Sequence, residues 1–520
     1  MTLTVRRAAP IVDRRPAVRA AAPRRFTIEQ VVLAGALAIA AVLRLVALGV
    51  VGLNSDEAVY AAQSASLSGN PHFTGLFPVV RAHPLMLQVL MSPLYQSGVP
   101  DTIGRYVAAL FGIGTVGLVY VLGTVLYHSR AGALAALLLA VMPYHVIVSR
   151  QIMLDGPMTF FATASLTCLA LTARTHDRRW LIAAGACLGL AALSKETAVI
   201  LVGSAFVFLC LHSHLAQPMR IVAAGTGLAL GIAWSYPLLT ALAGGARSGQ
   251  SYVMWQLTRH PNHSFGFYAV MVGGAIGLGT LAIGIAGLWR RISRRPFTWR
   301  ETLLLSWALV PILFFQVWPV KGYAYLLPLA PVAAVLAARA LTPPTIRRPS
   351  PRRVSWQRRW ITRAATVLCV VALAVPSISS IVSPPTSGLA GAGGLPGGRE
   401  VGRWVAKHVP AGAHFMTIGP SMANVIQYYS GDVSDGLSVS PNPLHRNPTY
   451  HPIENADVAL RAGDYQYVVW DAYSAGRSGQ FGERALELAR RYHGEVVHVE
   501  RGTFKGRPDQ KLIVVYKVTP

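Results

Sequence analysis

The chain has 520 residues, of which 53% are hydrophobic and only 13% charged, yet its formal net charge is +26. An ordinary soluble chain is about 25% charged, so this composition excludes a string of soluble domains, and the long apolar runs between the arginine clusters exclude a nucleic-acid-binding surface. It fits a polytopic membrane protein whose charges are confined to loops and tails.

Residues 1–27 read as a basic cytoplasmic tail. A membrane helix needs about 20 mostly apolar residues. Such runs occur in order at Ile28–Val51, Ile103–Tyr127, Ala131–Val148, Pro157–Ala173, Trp180–Leu193, Thr197–Leu211, Ile221–Ala243, Phe265–Trp289, Thr302–Trp318, Tyr323–Leu341 and Ile361–Val382. The expected fold is therefore mainly α, with about eleven transmembrane helices over residues 28–382. The first run is too long for a secretory signal and lacks a small-residue cleavage site. Within the loop at residues 52–102, His83–Gln96 is apolar but short, which suits an interfacial or re-entrant helix. A single helix over Trp180–Leu211 would be about 48 Å long, against a hydrocarbon core of about 30 Å. Lys195 and Glu196 therefore mark a turn between two crossings.

Orientation follows from the arginines. With the N-terminus inside, the cytoplasmic segments collect Arg24 and Arg25, Arg178 and Arg179, Arg290 to Arg300, and Arg339 to Arg363. That side holds over half of the 47 basic residues, as the positive-inside rule requires. Most of the net charge is thus a topology signal. Arg outnumbers Lys 41 to 6, a bias typical of a GC-rich bacterial genome, so the expected location is a plasma (inner) membrane.

The Gly/Pro-rich stretch at residues 383–398 reads as a linker to an extracytoplasmic α/β domain at residues 399–520. There Arg399–His408, Met422–Tyr429 and Glu483–Tyr492 read as helices, and His414–Ile418, Tyr465–Trp470 and Lys511–Val518 as strands. Its Gln427-Tyr428-Tyr429 and Tyr465-Gln466-Tyr467 either bind glycan or pack the core. The four cysteines lie in apolar runs, with no metal or disulfide spacing.

Few acids remain at the outer ends of the crossings: Asp56, Glu57, Asp101, Asp155 and Glu196. Ionisable groups at a membrane are costly, and are usually paired or functional. Ser55 or Asp56 can cap a helix, and Glu57 suits its first turn. Arg150 and Asp155 are five apart and do not pair along one helix, so each can meet a ligand or another loop. The topology brings Asp56, Asp155, Lys195 and His83 to one face. Such a set can deprotonate a hydroxyl and hold a phosphate leaving group, although a loop ion pair is the plainer reading of Asp155. Lys321, Tyr323 and Tyr325 are either a snorkelling lysine in an aromatic belt or donor contacts. Arg44, inside the first crossing, is expected to snorkel or to pair with an outer acid. His260 and His263 have no carboxylate nearby in sequence, so no metal site is expected there.

Four segments in order resemble the GT-C superfamily of membrane glycosyltransferases, in its protein O-mannosyltransferase and aminoarabinose transferase-like branch. They are Ser55-Asp56-Glu57, His83-Pro84-Leu85, Ser149-Arg150 through Leu154-Asp155 with Phe160-Phe161, and Leu193-Ser194-Lys195-Glu196. The resemblance covers roughly residues 28–345. It implies a glycosyltransferase that uses a polyprenyl-phosphate-linked sugar at the extracytoplasmic face and inverts the anomeric centre. By that resemblance Asp56 is the base or orienter at the acceptor, Glu57 supports it, and Asp155 is the second acid. Arg150, Lys195 and Glu196 would serve the lipid phosphate, with Lys321 and Tyr325 as further donor contacts. Arg81, His83 and Gln88 would serve the acceptor or support the loop. Mannosyltransferases carry His-Pro-Pro-Leu-Gly-Lys; here Leu85 replaces the second Pro and Gln88 stands at the Lys. A donor with one phosphate makes little demand on a metal, so no cofactor is expected and a divalent cation is not favoured. The acceptor is a protein, lipid or glycan, and nucleic acid is not expected as a partner. The rival reading is a transporter or lipid flippase. Transporters place ionisable groups near the midplane of two related halves, whereas these acids sit at span ends on one face.

Overall fold

The computed structural model describes residues 26–79, 83–96, 100–212, 217–242, 255–294, 296–342, 356–384, 389, 391, 393–504 and 506–520, apart from the side chains at 358 and 359. Six helices are long and apolar enough to cross a bilayer: Ile28–Leu45 (α1), Ile103–Leu126, Asp155–Thr175, Met219–Leu242, Trp299–Val317 and Trp360–Val382. Their rims expose large apolar side chains such as Leu110, Trp234, Leu313 and Leu368, a surface that needs a lipid cover. The chain is a multi-pass membrane protein.

Two of the expected continuous crossings are broken. Ser129–Val141 and Pro143–Ser149 meet at 61°, and Tyr268–Ile276 and Leu278–Ile292 at 91°. In the first, Pro143 has no N–H and holds Met142 extended at φ −71°, ψ 117°. In the second, Gly277 turns the chain at φ +96°, a conformation that only glycine adopts at low cost. The three remaining expected crossings fall on Arg179–Ser194, Glu196–Leu211 and Leu329–Leu341. The 16 residues of Arg179–Ser194 reach about 24 Å, less than a core of about 30 Å. By length and composition, the described residues hold six clear spans, or eight with each bent pair as one, and the remaining three are shorter apolar helices.

The break at Met142 also explains Arg44, which neither snorkels nor meets an acid. Its guanidinium donates to the carbonyls of Ala140 (2.9 Å) and Leu139 (3.3 Å) at the end of the broken helix, and contacts His145 Nδ1 at 2.9 Å. Gly112 makes room for it: a Cβ there would stand 3.1 Å from Arg44 Nε and 2.5 Å from Ser149 Cβ.

Beyond α1, the helix Ser55–Leu67 (α2) is capped by Asn54, not by Ser55 or Asp56. Asn54 Oδ1 accepts from the Glu57 N–H (3.0 Å), and Glu57 Oε2 accepts from the Asn54 N–H (3.1 Å), a reciprocal capping box. Frozen in this way, the first turn of α2 fixes where Asp56 points. His83–Gln96 forms a short helix, Met86–Met91, running into the 3₁₀ turn Ser92–Tyr95. It buries Leu87, Met91 and Tyr95 and exposes Val89, Leu90 and Leu94, the two-faced pattern of an interfacial segment.

The C-terminal region carries a five-stranded sheet in the order β2-β1-β3-β5-β4. Its strands are β1 (His414–Thr417), β2 (Val433–Gly436), β3 (Tyr467–Asp471), β4 (Glu495–Phe504) and β5 (Arg507–Lys517). β1 runs parallel to β2 and β3, and β5 is antiparallel to β3 and β4. The helices Gly398–His408, Pro420–Ser430 and Gly479–Arg491 pack around it. One apolar core runs from α2 and the Met86–Tyr95 segment into this region, joining Ala58, Leu87 and Met91 to Val401, Val425 and Ile513. Asp101 fastens the same junction, accepting from Arg399 Nε (2.9 Å) and the Tyr429 hydroxyl (2.7 Å).

Candidate active site

The geometry starts from a run of bare carbonyls. A helix C-terminus leaves its last carbonyls without intrahelical partners, and α1 is followed by several residues of irregular backbone. Three arginines serve this stretch. Arg150 donates to Leu43 and Val46 (2.8 Å each) and Ala47 (3.1 Å). Arg105 donates to Leu48 (2.6 Å), Val51 (2.7 Å) and Gly52 (3.0 Å), and Arg399 to Gly49 (2.7 Å) and Val51 (2.8 Å). Guanidinium groups suit this task because each holds several donors in one rigid fork. The backbone leading into Asp56 is thereby fixed from three directions.

Arg150, expected to serve the lipid phosphate, here holds carbonyls at the end of α1 and just beyond it. Glu57 is committed too. Arg105 Nε and Nη2 each donate to it at 2.7 Å, and the Ile152 N–H at 3.0 Å, with the acid wholly buried. Neither Arg105 nor Arg399 stands out in the sequence. Their only signal is an arginine just after a linker or a loop, next to a crossing.

Asp155 begins the helix Asp155–Thr175, and Lys195 ends Arg179–Ser194. Lys195 Nζ bridges both Asp155 oxygens at 2.9 and 2.8 Å, with both side chains buried. The plainer expectation for Asp155, an ion pair, is what the structure holds, so Asp155 is not a free second acid. Lys195 Nζ also sits 4.8 Å from the centroid of the Tyr325 ring, a cation–π contact. Gly322 admits that ring: a Cβ there would lie 2.6 Å from Tyr325 Cε1. Glu196 pairs with His83, whose Nδ1 is 3.0 and 3.1 Å from its oxygens. Gln88 is fully buried and donates to Gln63 Oε1 at 3.1 Å, so it braces the loop. Arg81 lies outside the described residues.

Asp56 differs from all of these. Among the described residues its carboxylate has no hydrogen bond and no ion pair, and it retains accessible surface although protein crowds around it. That crowding raises its carboxyl above the usual aspartate range. The charges of Lys195 and His83 pull it down, and those of Asp155 and Glu57 push it up. The same influences show that the four groups converge on Asp56.

Lys321 is the other unspent charge. It is 7% exposed, and its ammonium has no carboxylate partner among the described residues. Asn262 fixes its backbone, accepting from its N–H (2.7 Å) and donating to its carbonyl (3.0 Å). Tyr325 follows it on the adjoining 3₁₀ turn, Tyr323–Leu326. A buried ammonium without a counter-charge is costly, and an anionic ligand would complete it. No group of three or more His, Cys, Asp or Glu with metal-binding geometry occurs among the described residues. His260 and His263 instead stack on His445 and Phe267.

Comparison with known proteins follows the same lines. Residues 82–236 match the family model of dolichyl-phosphate-mannose-protein mannosyltransferase. Over 238 residues the chain is 26% identical to an undecaprenyl phosphate-alpha-4-amino-4-deoxy-L-arabinose arabinosyl transferase of Proteus mirabilis, covering 42% of each protein. The corresponding transferase of Yersinia enterocolitica is also 26% identical over 238 residues. The matched stretch is thus less than half the length of these relatives. The crystal structure of ArnT from Cupriavidus metallidurans bound to undecaprenyl phosphate superposes with a TM-score of 0.65 at 18% identity, covering 93% of this chain and 97% of that one. The archaeal oligosaccharyltransferase AglB from Archaeoglobus fulgidus, in complex with an inhibitory peptide and a dolichol-phosphate, gives 0.58 at 16% identity, covering 90% and 72%. The chain shares its fold with these structures over nearly its whole length, and residues 82–236 are similar in sequence to the mannosyltransferase family.

Proposed function

We propose that this chain is a membrane glycosyltransferase that moves a sugar from a polyprenyl-phosphate donor to an acceptor hydroxyl or amine, with inversion. The observation that carries this reading is that, among the described residues, the carboxylate of Asp56 and the ammonium of Lys321 are unspent, while Glu57, Asp155, Lys195, His83 and Glu196 are paired. Relatives that use undecaprenyl-linked sugars, and neighbours holding undecaprenyl or dolichol phosphate, support it. In this scheme Asp56 takes the acceptor proton as the acceptor attacks the anomeric carbon. The bond to the donor phosphate breaks, and Lys321 neutralises the phosphate released, with the Tyr325 hydroxyl as a neighbouring donor. Asp155 and Lys195 hold the Tyr325 ring, and Glu196 orients His83. The eleven-crossing topology, with the N-terminus inside and the C-terminal region at residues 399–520 outside, belongs to the same reading and rests on the arginine distribution.

Reconstitution tests it. Protein in liposomes with a radiolabelled polyprenyl-phosphate sugar and an extract of envelope acceptors should release polyprenyl phosphate and label an acceptor. Substrate counterflow without any acceptor would instead establish the transporter. Two variants refine the test. Lys321→Gln should weaken binding of undecaprenyl phosphate by about 30-fold or more, the loss of one charge-assisted contact worth roughly 2–3 kcal/mol, with unchanged thermal unfolding as the control. The second test is a pH profile. A base works only when deprotonated, so kcat/KM should fall as pH drops through the Asp56 value, and that limb should lie above the ordinary aspartate range. His83→Gln removes a charge that lowers this value, so it should move the limb to higher pH. An acid limb that stays in place would remove Asp56 from the base role.

A further inference from the structure

We propose that a cleft between the segment before His83 and the C-terminal sheet binds a neutral sugar unit of the acceptor; this rests on the transferase reading above. The cleft has a volume of about 250 Å³, just below the range of drug-sized ligand sites and large enough for one sugar unit. One wall is Gly75, Leu76 and Pro78; the other is formed by the helix Pro420–Ser430 and β2. Three features identify its occupant. First, its polar side chains are neutral amides and a hydroxyl: Asn424, Gln427 and Thr449. Second, among the described residues no lysine or arginine lines it, and the one carboxylate that does, Asp435, already accepts from the Tyr465 hydroxyl at 3.0 Å. Among the described residues a phosphate or uronate therefore finds no counter-charge beyond His451. Third, Leu76 and the Tyr450 ring offer apolar surface for the C–H face of a sugar beside those polar groups.

The cleft is also wired to the reaction centre. Asn424 Nδ2 donates to Tyr450 Oη at 3.0 Å and to Ser55 Oγ at 2.9 Å. Ser55 immediately precedes Asp56, so one amide touches both the cleft and the turn that carries the base. A sugar held here would be one hydrogen-bond link, through Asn424 and Ser55, from the turn that carries Asp56. The tyrosines flanking Gln427 do not share this role: Tyr428 is buried and packs on Phe73 at 5.4 Å, and Tyr429 spends its hydroxyl on Asp101.

The test uses the full-length protein in nanodiscs and direct binding of methyl α-D-mannopyranoside, methyl β-D-galactopyranoside and methyl α-L-arabinofuranoside, with galacturonate as the anionic probe. At least one glycoside should bind saturably, and galacturonate should not. Gln427→Ala should weaken that binding about fivefold to tenfold, the loss of one hydrogen bond. Gly75→Trp should abolish it by filling the mouth. Position 75 has ordinary backbone angles and no atom within 4 Å of an added Cβ, so this variant should fold. Undecaprenyl phosphate binding by both variants should match the parent protein. No glycoside binding by the parent, preference for galacturonate, or both variants binding like the parent would each overturn the proposal. Glycoside binding by a parent that ignores undecaprenyl phosphate would support the cleft and overturn the donor reading, so the two fail separately.

Discussion

Replacing Asp56 by Asn should slow sugar transfer by about a hundredfold to ten-thousandfold, the usual worth of a positioned general base, without loss of folded protein. The second half of that expectation follows from geometry. The Asp56 carboxylate makes no hydrogen bond or ion pair among the described residues, so nothing structural is removed with its charge. The same change at Asp155 should behave differently, because it would strip the buried Lys195 of both its carboxylate contacts. Asp155→Asn should lower the thermal unfolding temperature as well as activity. Measuring turnover and unfolding on both variants separates a base from a brace. Full turnover by Asp56→Asn would end the base assignment.

Arg105→Ala should be the most destabilising single change in the site. It removes two contacts to Glu57 and three to the carbonyls of Leu48, Val51 and Gly52. Glu57 is wholly buried and would keep only the N–H groups of Asn54 and Ile152. Breaking a buried ion pair by deleting one partner costs about 3–5 kcal/mol. The expected result is a sharp fall in the yield of monodisperse protein and in its unfolding temperature in detergent. Arg105→Lys should rescue little, since a single ammonium cannot reach a carboxylate and three carbonyls in the geometry of a fork. Unfolding of Arg105→Ala at the parent temperature would show that the ion pair is not what holds the turn before Asp56.

The sequence made some parts of this legible and hid others, for physical reasons. Continuous apolar runs of span length were readable because a bilayer imposes a length, and six of them stand as clear spans. The breaks were not readable from hydropathy. Pro143 and Gly277 sit inside apolar runs, and only the structure shows that each turns the chain. In the C-terminal region the expected helices and three strands occur within a few residues of their expected bounds. β2 was missed because it is four residues long and ends in Asp435-Gly436, residue types that strands disfavour. β4 was missed although it spans ten residues; its register is interrupted by three irregularities along β5.

The site shows the same division. That Asp56, Asp155, Lys195 and His83 lie at one face was an expectation from the sequence, and in the structure the other three all act on the charge of Asp56. Which of them is already paired did not follow, because pairing depends on residues far away in sequence. Lys195 meets Asp155 across 40 positions and His83 meets Glu196 across 113. Arg150 looked free because no acid lay three or four residues away; it is occupied by carbonyls of α1 more than 100 positions earlier. Lys321 was readable as a membrane-interface lysine, and only its burial without a carboxylate partner among the described residues marks it as the proposed phosphate ligand.

The central claim, that this protein binds a polyprenyl-phosphate donor through Lys321, is tested most directly by native mass spectrometry of the full-length protein purified from membranes in mild detergent. The parent protein should carry a bound species whose mass is that of a polyprenyl phosphate, free or bearing one sugar, and Lys321→Gln should carry much less of it at equal yield. A parent protein free of such lipid even after incubation with undecaprenyl phosphate, or a Lys321→Gln protein that retains it undiminished, would contradict the account.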